Sequence, residues 1–155
     1  MLKFFSEDEF IQILRKHGYK ATPQRLTIFE VLKSKDHPSA EEIYEAIKKR
    51  FPSISLTTIY QTLHLFSELG IINELGFSDN RSRFDTNTNP HINVICPVCG
   101  KISDLEDELV VELWDSLEKK LGKKPIKHRF DVYAICDTCE NKIQAGRVRI
   151  EVKNI

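Results

Sequence analysis

Four cysteines, arranged in two Cys-x-x-Cys pairs, are the residues of this chain best suited to do chemistry. Cys96 and Cys99 form the first pair, Cys136 and Cys139 form the second, and the 155-residue chain has no other cysteine. Two such pairs can direct four thiolates at one tetrahedral zinc ion, at about 2.3 Å each. The spacing within a pair is too tight for a good structural disulfide but suits a metal-binding turn. The sequence therefore predicts one structural zinc site.

Two other interpretations of the cysteines stay open, namely a redox dithiol and four reduced thiols in a protein core. A redox dithiol needs a cysteine of low pKa at the start of a helix, whereas each pair here follows a strand-like run, 93–95 or 130–135. A redox dithiol also uses only one pair, so it would leave the second matching pair unexplained. The 36 residues between the pairs exceed the spacing usual in a zinc ribbon, so we predict an inserted helix between them.

The apolar pattern between and after the cysteine pairs indicates how that half of the chain packs. One helical stripe is predicted to lie in the core; it consists of Val110, Leu113, Trp114, Leu117 and Leu121. The alternation of Phe130, Val132 and Ala134 predicts a half-buried strand.

Composition limits the class of protein. A chain of 155 residues allows one domain or two small ones, and 41% hydrophobic residues is ordinary for a globular protein. No stretch approaches the roughly 20 apolar residues of a membrane helix, and the first residues lack the apolar core of a signal peptide. We therefore expect a cytoplasmic protein with reduced thiols. Basic and acidic residues number 23 each, so net charge gives no support to nucleic-acid binding.

Helix start and stop signals divide the first 85 residues into four helices and a hairpin. Ser6 and Ser39 each begin a capping-box pattern. Thr22 precedes a proline suited to the first helical turn, and Ser55 caps the fourth helix. A polar turn then joins two short strand-like runs. The last three of these helices, with a short break before the fourth, are followed by the hairpin. This is the order of elements in a winged helix-turn-helix domain.

The fourth helix is the one that such a domain inserts into the DNA major groove. Glutamine can contact adenine through two hydrogen bonds, and threonine or aromatic carbons can meet a thymine methyl group. The hairpin after the helix carries Arg81 and Arg83, which are placed for phosphates or a minor groove. The predicted DNA-contacting residues are Thr57, Thr58, Tyr60, Gln61, His64 and Arg81. Alternatively, this face is only solvated, or it binds a protein, as small helical domains also do.

With both halves considered, the chain resembles the ferric uptake regulator family of dimeric, metal-dependent bacterial transcription factors. The resemblance extends from about residue 6 to 142. It is carried by the second cysteine pair and by the segments 18–25, 37–44, 57–63 and 91–100. Within the family the chain is most similar to the peroxide-sensing regulators, because of segment 82–85 and Asp104.

The resemblance implies a second, regulatory metal site with ligands from both domains. The matching residues are His37, Asp85, His91 and Asp104, a set of imidazoles and carboxylates that suits Fe(II) or Mn(II). The family usually has histidine at position 93, where this chain has Asn93, whose amide oxygen is a weaker ligand. We include Asn93 in the predicted set. Taken singly, each histidine could be an ordinary surface residue, and the two aspartates could cap a turn and a helix.

The sequence thus predicts an α+β protein with three parts. Residues 1–85 form a winged helix-turn-helix DNA-binding domain, 86–91 a hinge, and 92–155 an α/β dimerisation domain with the four-cysteine zinc site. We expect a homodimer that is not an enzyme, does not bind membranes, and represses transcription at an inverted-repeat operator in double-stranded DNA. Its cofactors are structural zinc and regulatory Fe(II) or Mn(II), and by resemblance Fe(II) with peroxide oxidises a ligating histidine.

Three other functions remain to be distinguished. The first is an iron- or manganese-responsive repressor that does not sense peroxide. The second is a thiol-disulfide oxidoreductase that uses a Cys-x-x-Cys pair. The third is a zinc-ribbon module that binds another protein rather than DNA.

Overall fold

The chain forms two compact units, which we call the N-terminal unit, Met1–Asn89, and the C-terminal unit, Pro90–Ile155. The structure is a computed structural model that describes residues 5–76, 82–125 and 127–147. The division falls inside the range predicted as a hinge, whose flexibility stays a prediction. Among the residues that the structure describes, none of the helices has the length and hydropathy needed to span a bilayer.

Four helices make up most of the N-terminal unit, and they begin where the capping signals predicted. They are α1 Glu7–Lys16, α2 Pro23–Ser34, α3 Ala40–Ile47 and α4 Leu56–Glu68. The Ser6 and Ser39 side chains each accept a hydrogen bond from the backbone of a glutamate three residues on, whose carboxylate accepts one in return. Thr22 and Ser55 cap α2 and α4 through their side-chain oxygens. These reciprocal contacts satisfy amides that a helix start otherwise leaves without a partner.

Aromatic packing holds the four helices together. The Phe10 ring of α1 stacks on Phe29 of α2, with centroids 4.1 Å apart. The same ring meets Phe66 of α4 edge to face at 5.0 Å. On α4, Ile59 and Leu63 are fully buried on the same side as Phe66. Because this face of α4 is buried in the core, its opposite face is directed to solvent.

A two-stranded antiparallel hairpin completes the N-terminal unit, as predicted. Its strands are β1 Asn73–Leu75 and β2 Arg83–Asp85. The Phe84 amide donates to the Pro38 carbonyl oxygen at 3.0 Å, and Arg83 donates to the Glu42 carboxylate at 2.7 Å. These bonds fix β2 against the segment that leads into α3. The predicted polar turn between the strands lies outside the described residues.

The C-terminal unit contains a three-stranded sheet and two helices. Its elements are β3 Ile92–Ile95, β4 Ile102–Leu105, α5 Glu108–Leu121, β5 Asp131–Tyr133 and α6 Asp137–Gln144. The strand order is β4-β3-β5, in which β3 pairs antiparallel with β4 and parallel with β5. Helix α5 lies between the two cysteine pairs, which confirms the predicted insertion.

The prediction that one stripe of α5 lies in the core is wrong for the single chain. Val110 is buried, but Leu113 and Leu121 are 48% and 60% exposed. The alternation predicted for β5 also fails, since Val132 is 48% exposed and Ala134 is exposed as well. Strands of three or four residues offer too little surface to cover a fourteen-residue helix. Helical periodicity identifies an apolar face but does not tell whether the same chain covers it.

Candidate metal centres and nucleic-acid interface

Two tight backbone turns position the four cysteines. Cys96 follows β3, and its amide donates to the Lys101 carbonyl oxygen at 2.9 Å, which closes the turn into β4. Gly100 ends this turn with a φ of 73°, in the left-handed region that glycine adopts without strain. Cys136 is the N-cap of α6, and its carbonyl oxygen accepts from the Cys139 amide at 2.9 Å.

The geometry of the cluster fits a tetrahedral zinc ion. All four sulfur atoms lie within 4.8 Å of one another, and the Cys99 and Cys136 sulfurs are 3.7 Å apart. Four sulfurs at about 2.3 Å from a common ion are about 3.8 Å apart in a tetrahedron. The Cys136 amide also donates to the Cys96 sulfur at 3.4 Å, as is usual for thiolate ligands. The structure therefore brings together the four cysteines that the sequence indicated.

The surroundings of the cluster favour the thiolate form of Cys96 over that of Cys99 or Cys139 when no cation is bound. Burial raises the pKa of Cys96, but amide donors led by that of Cys136 outweigh this effect and lower the pKa to about 6. Burial raises the pKa of Cys99, and it raises that of Cys139 to about 12, with the neighbouring sulfurs adding to the effect on Cys139. A bound divalent cation reverses this preference, because it stabilises all four thiolates together.

A redox dithiol needs a cysteine at the start of a helix. The second pair follows β5, as predicted, but Cys136 also begins α6, so its position does not exclude the redox interpretation. The cysteine of lowered pKa is nevertheless Cys96, which follows β3 and has a matching pair beside it. A four-thiolate metal site requires both cysteine pairs to converge, whereas a redox site requires only one pair.

In the N-terminal unit the structure brings His37 and Asp85 together. They are 8% and 5% exposed, and the His37 Nε2 atom lies 3.9 Å from the Asp85 Oδ1 atom. The bond between Phe84 and Pro38 places β2 beside this histidine. The His37 backbone has a φ of 45°, a conformation that is uncommon for a non-glycine residue and costs it free energy, and strain of this kind clusters at active sites and ligand-binding positions. The interpretation of His37 as an ordinary surface residue is therefore wrong.

Asp85 also caps the turn that follows β2, as the alternative interpretation of this residue predicts. Its Oδ1 atom accepts a hydrogen bond from the Asn87 amide at 2.6 Å. This bond orients the carboxylate from the chain that follows β2. A capping contact and a ligand role are compatible, because an ionised carboxylate has several acceptor positions.

In the C-terminal unit the structure brings His91, Asn93 and Asp104 together. Asn93 on β3 is the register partner of Asp104 on β4, and residues 91 and 93 share a face of an extended chain. The His91 Nε2 atom lies 3.3 Å from the Asn93 Oδ1 atom and 3.7 Å from the Asp104 Oδ1 atom. His91 and Asn93 are each 3% exposed, so His91 is not a surface residue. Asp104 does not cap a helix, because Asp107 caps α5.

The sequence reasoning missed one residue that contacts this second set, Asp131, and one that contacts Asp131 in turn, Arg129. The Asn93 amide nitrogen donates to Asp131 at 3.1 Å, and Arg129 donates to the other oxygen of Asp131 at 2.7 Å. No local sequence signal marks Asp131, because it meets Asn93 through parallel pairing of strands 38 residues apart.

The exposed face of α4 carries most of the predicted DNA-contacting residues. Thr57, Tyr60, Gln61 and His64 are exposed. Thr58 is half-buried, and its hydroxyl oxygen lies 2.9 Å from that of the helix cap. Thr58 therefore supports the helix start more than it projects from it.

Two of these side chains have partners within the unit. The Tyr60 hydroxyl donates to the Glu41 carboxylate at 2.9 Å, and desolvation together with this bond raises the pKa of Tyr60. His64 lies 3.4 Å from Glu68, one helical turn away. Arg81 lies outside the described residues.

A groove beside α4 extends this face beyond the predicted residues. Its volume is about 390 Å³, and it lies between the turn from α1 to α2 and the exposed side of α4. Lys20, Arg25 and Gln61 line it. Two cations and an amide in one groove can contact an anionic backbone and a base edge together. Segment 18–25 carries part of the family resemblance, but no sequence pattern connects its cations with α4.

Comparison with known proteins finds similarity to one family over most of the chain. Residues 16–133 match the model of the ferric uptake regulator family. The chain is 40% identical over 136 residues to the peroxide-responsive repressor PerR of Staphylococcus epidermidis, covering 87% of this chain and 91% of the relative. The crystal structure of the Campylobacter jejuni peroxide stress regulator is 39% identical, with a TM-score of 0.68 and coverage of 84% and 99%. The Helicobacter pylori ferric uptake regulator, described as having three functional metal-binding sites, is 26% identical, with a TM-score of 0.72 and coverage of 90% and 97%.

Proposed function

The chain belongs to the ferric uptake regulator family, and on this premise we propose that it is a metal-dependent transcriptional repressor that responds to peroxide. The observation that carries the proposal is the gathering of ligand-type side chains in each unit. His37 lies beside Asp85, and His91 lies beside Asn93 and Asp104. Such a regulator acts in the cytoplasm, where thiols stay reduced, and its role is regulatory rather than enzymatic.

The four-cysteine cluster holds structural zinc in this proposal. When bound, zinc supplies the positive charge that allows four thiolates to lie close together. Cys96 and Cys99 present their sulfurs from the turn after β3, and Cys136 and Cys139 present theirs from the start of α6. The cluster therefore joins the sheet of the C-terminal unit to α6.

One regulatory ion takes ligands from both sets. The five side chains supply two imidazole nitrogens and three oxygens, a combination suited to Fe(II) or Mn(II) and without the thiolates that favour zinc. An ion held by both units restricts their relative orientation. A regulator ordered in this way loses less conformational freedom when it binds DNA, so metal occupancy raises DNA affinity.

Regulators of this family bind DNA and act as dimers. In the homodimer proposed here, two copies of α4 enter successive major grooves of an inverted repeat, about 34 Å apart. Tyr60 and Gln61 read base edges, with Thr57 and His64 beside them. Arg81 contacts the DNA backbone.

The C-terminal unit provides the dimer surface in this proposal. Its apolar side chains on α5 and β5 are more exposed than is usual for residues of their size, as Leu109, Leu113 and Val132 illustrate. Contiguous apolar surface of this kind marks an interaction site on a protein. A second copy of the same unit covers it through a twofold interface.

The response to peroxide uses His37 and His91. When bound, ferrous iron would activate peroxide by lending an electron that it regains from the imidazole, so the histidine is the group oxidised overall. One peroxide oxygen would be inserted into a ring C–H bond of His37 or His91, and the other would leave as water. An oxidised imidazole is a poorer ligand, so the regulatory ion and then the DNA are released.

A repressor that responds to iron or manganese without sensing peroxide is the second candidate, and Asn93 favours it. An amide oxygen in place of imidazole weakens the affinity for Fe(II) more than that for Mn(II), so less of the reactive metal is bound. The thiol-disulfide oxidoreductase has less support, because four converging thiols suit a metal better than one redox pair.

The proposal is tested with protein purified without air and loaded with Fe(II) or Mn(II). Binding to a duplex selected from a random-sequence pool is measured before and after peroxide. We expect both loaded forms to bind, and only the Fe(II) form to lose binding after peroxide. Binding that survives in the Fe(II) form leaves a plain metal-responsive repressor. No DNA binding with either metal favours a protein-interaction module.

A further inference from the structure

Asn93 lies between two aspartates on the sheet of the C-terminal unit. Its register partner on β4 is Asp104, and its register partner on β5 is Asp131. Residues directly opposite each other on neighbouring strands project from the same face of a sheet. One face therefore carries the row Asp104, Asn93 and Asp131, with the amide in the middle. His91, two residues before Asn93, lies on the Asp104 side.

The contacts of Asn93 determine which end of its amide faces which aspartate. The Nδ2 atom lies 3.1 Å from the Asp131 Oδ1 atom and 3.4 Å from the Phe130 carbonyl oxygen. Both partners can only accept hydrogen bonds when the carboxylate is ionised, so the amide nitrogen must face them. The reverse orientation would place an oxygen next to two acceptors. The Oδ1 atom consequently faces His91, at 3.3 Å from its Nε2 atom.

A second contact holds Asp131 in position. The Arg129 Nε atom donates to the Asp131 Oδ2 atom at 2.7 Å, which leaves Oδ1 for Asn93. The backbone N–H of Asn93 donates to the Phe130 carbonyl oxygen at 2.8 Å. Strands β3 and β5 therefore cannot slide past each other without breaking this bond and the side-chain bond between Asn93 and Asp131. Side-chain hydrogen bonds thus link Arg129 to Asp131 and Asp131 to Asn93, and a backbone hydrogen bond holds Asn93 beside the same strand.

We infer that Asp131 is a positioning residue of the proposed regulatory metal site, where it directs the Asn93 oxygen toward the ion and favours Mn(II) over zinc. The inference rests on the proposed function. An amide that is not held can rotate and present its NH₂ group, which does not ligate a metal. Held by Asp131, it adds a third oxygen donor to the set, and oxygen donors suit Mn(II), whereas imidazole suits zinc better.

The experiment measures Mn(II) affinity of the full chain with its structural zinc retained, from the electron paramagnetic resonance signal of free Mn(II). Groups that orient metal ligands typically change metal affinity by about 10–100-fold. We expect Asp131→Ala to weaken Mn(II) binding by about tenfold or more and to lower the zinc concentration that displaces Mn(II). Asp131→Asn, which keeps an acceptor oxygen for Asn93, should restore most of the affinity. Asp115→Ala removes an exposed carboxylate of α5 and is the matched control.

A double-mutant cycle separates positioning from charge. If Asp131 acts through Asn93, Asp131→Ala has no further effect in the Asn93→Ala background. An equal loss in both backgrounds, or no rescue by Asp131→Asn, would show that Asp131 acts through its charge and would overturn the inference. Unchanged zinc content and thermal unfolding identify variants that fold. Wild-type protein without any Mn(II) site would instead refute the proposed function, and the inference with it.

Discussion

Removal of one zinc ligand should unfold the C-terminal unit and leave the N-terminal unit folded. In the described part of the C-terminal unit, the only buried apolar side chains are those of Ile95, Ile102 and Val110 and of two of the cysteines. The N-terminal unit has a core of fifteen buried hydrophobic residues. A small unit with so few buried side chains depends on a metal or a partner for stability.

The loss of stability expected for the C-terminal unit can be compared with the contribution of its zinc ion. Structural zinc contributes on the order of 10 kcal/mol to a small domain, as much as the whole stability of a typical domain, about 5–15 kcal/mol. Cys136→Ser removes a thiolate that lies 3.7 Å from Cys99 and accounts for one quarter of the ligand set. We expect the zinc to be lost, the C-terminal unit to unfold, and the dimer to dissociate.

Hydrogen exchange followed by mass spectrometry measures the two units separately. Amides of β3 and β5 should lose protection in Cys136→Ser, while those of α2 and α4 keep theirs. Thr138→Ala, an exposed change between the same two cysteines, is the control and should behave like the wild type. A zinc-free Cys136→Ser variant that stays dimeric, keeps protection in β3 and binds DNA would refute the reasoning.

Three further predictions concern the DNA surface and the regulatory site. Gln61→Ala should reduce the binding free energy on cognate DNA by about 1–3 kcal/mol and relax base preference. Arg81→Ala should weaken binding to all sequences and flatten the salt dependence of binding. Equal effects of the two variants on cognate and on scrambled DNA would contradict the assignment. Fe(II) with peroxide should add oxygen to His37 or His91 and Mn(II) should not, as checked by mass spectrometry of peptides 26–48 and 84–101, and unmodified histidines would exclude peroxide sensing. Asn93→His should tighten regulatory metal binding, because imidazole is the stronger ligand; a calorimetric titration showing weaker binding would count against that ligand assignment.

The helices of the N-terminal unit could be predicted because their signals are local. A capping box at Ser6 or Ser39 involves residues three apart, so its contacts can be read from the sequence. The cysteine cluster could also be predicted, since the pair spacing itself carries the chemistry. In both cases the interacting atoms are close along the chain or repeated in a recognisable pattern.

The remaining features depend on contacts between distant segments. His37 is buried because Phe84 binds the residue after it, 46 positions away along the chain. The role of Asp131 depends on the parallel register of β3 and β5, which no sequence pattern defines. The exposure of Leu113 was not foreseen either, because an apolar stripe looks the same whether its own chain or a second copy covers it.

The central claim is that a metal bound by side chains of both units controls DNA binding. Its most direct test is the affinity for the selected duplex, measured by fluorescence anisotropy as Mn(II) is added to protein that keeps its structural zinc. The account predicts that Mn(II) raises the affinity of the wild type at least tenfold. It also predicts that His37→Ala and His91→Ala each abolish this rise without loss of zinc. Equal DNA affinity with and without Mn(II), or a full response in both variants, would contradict the account.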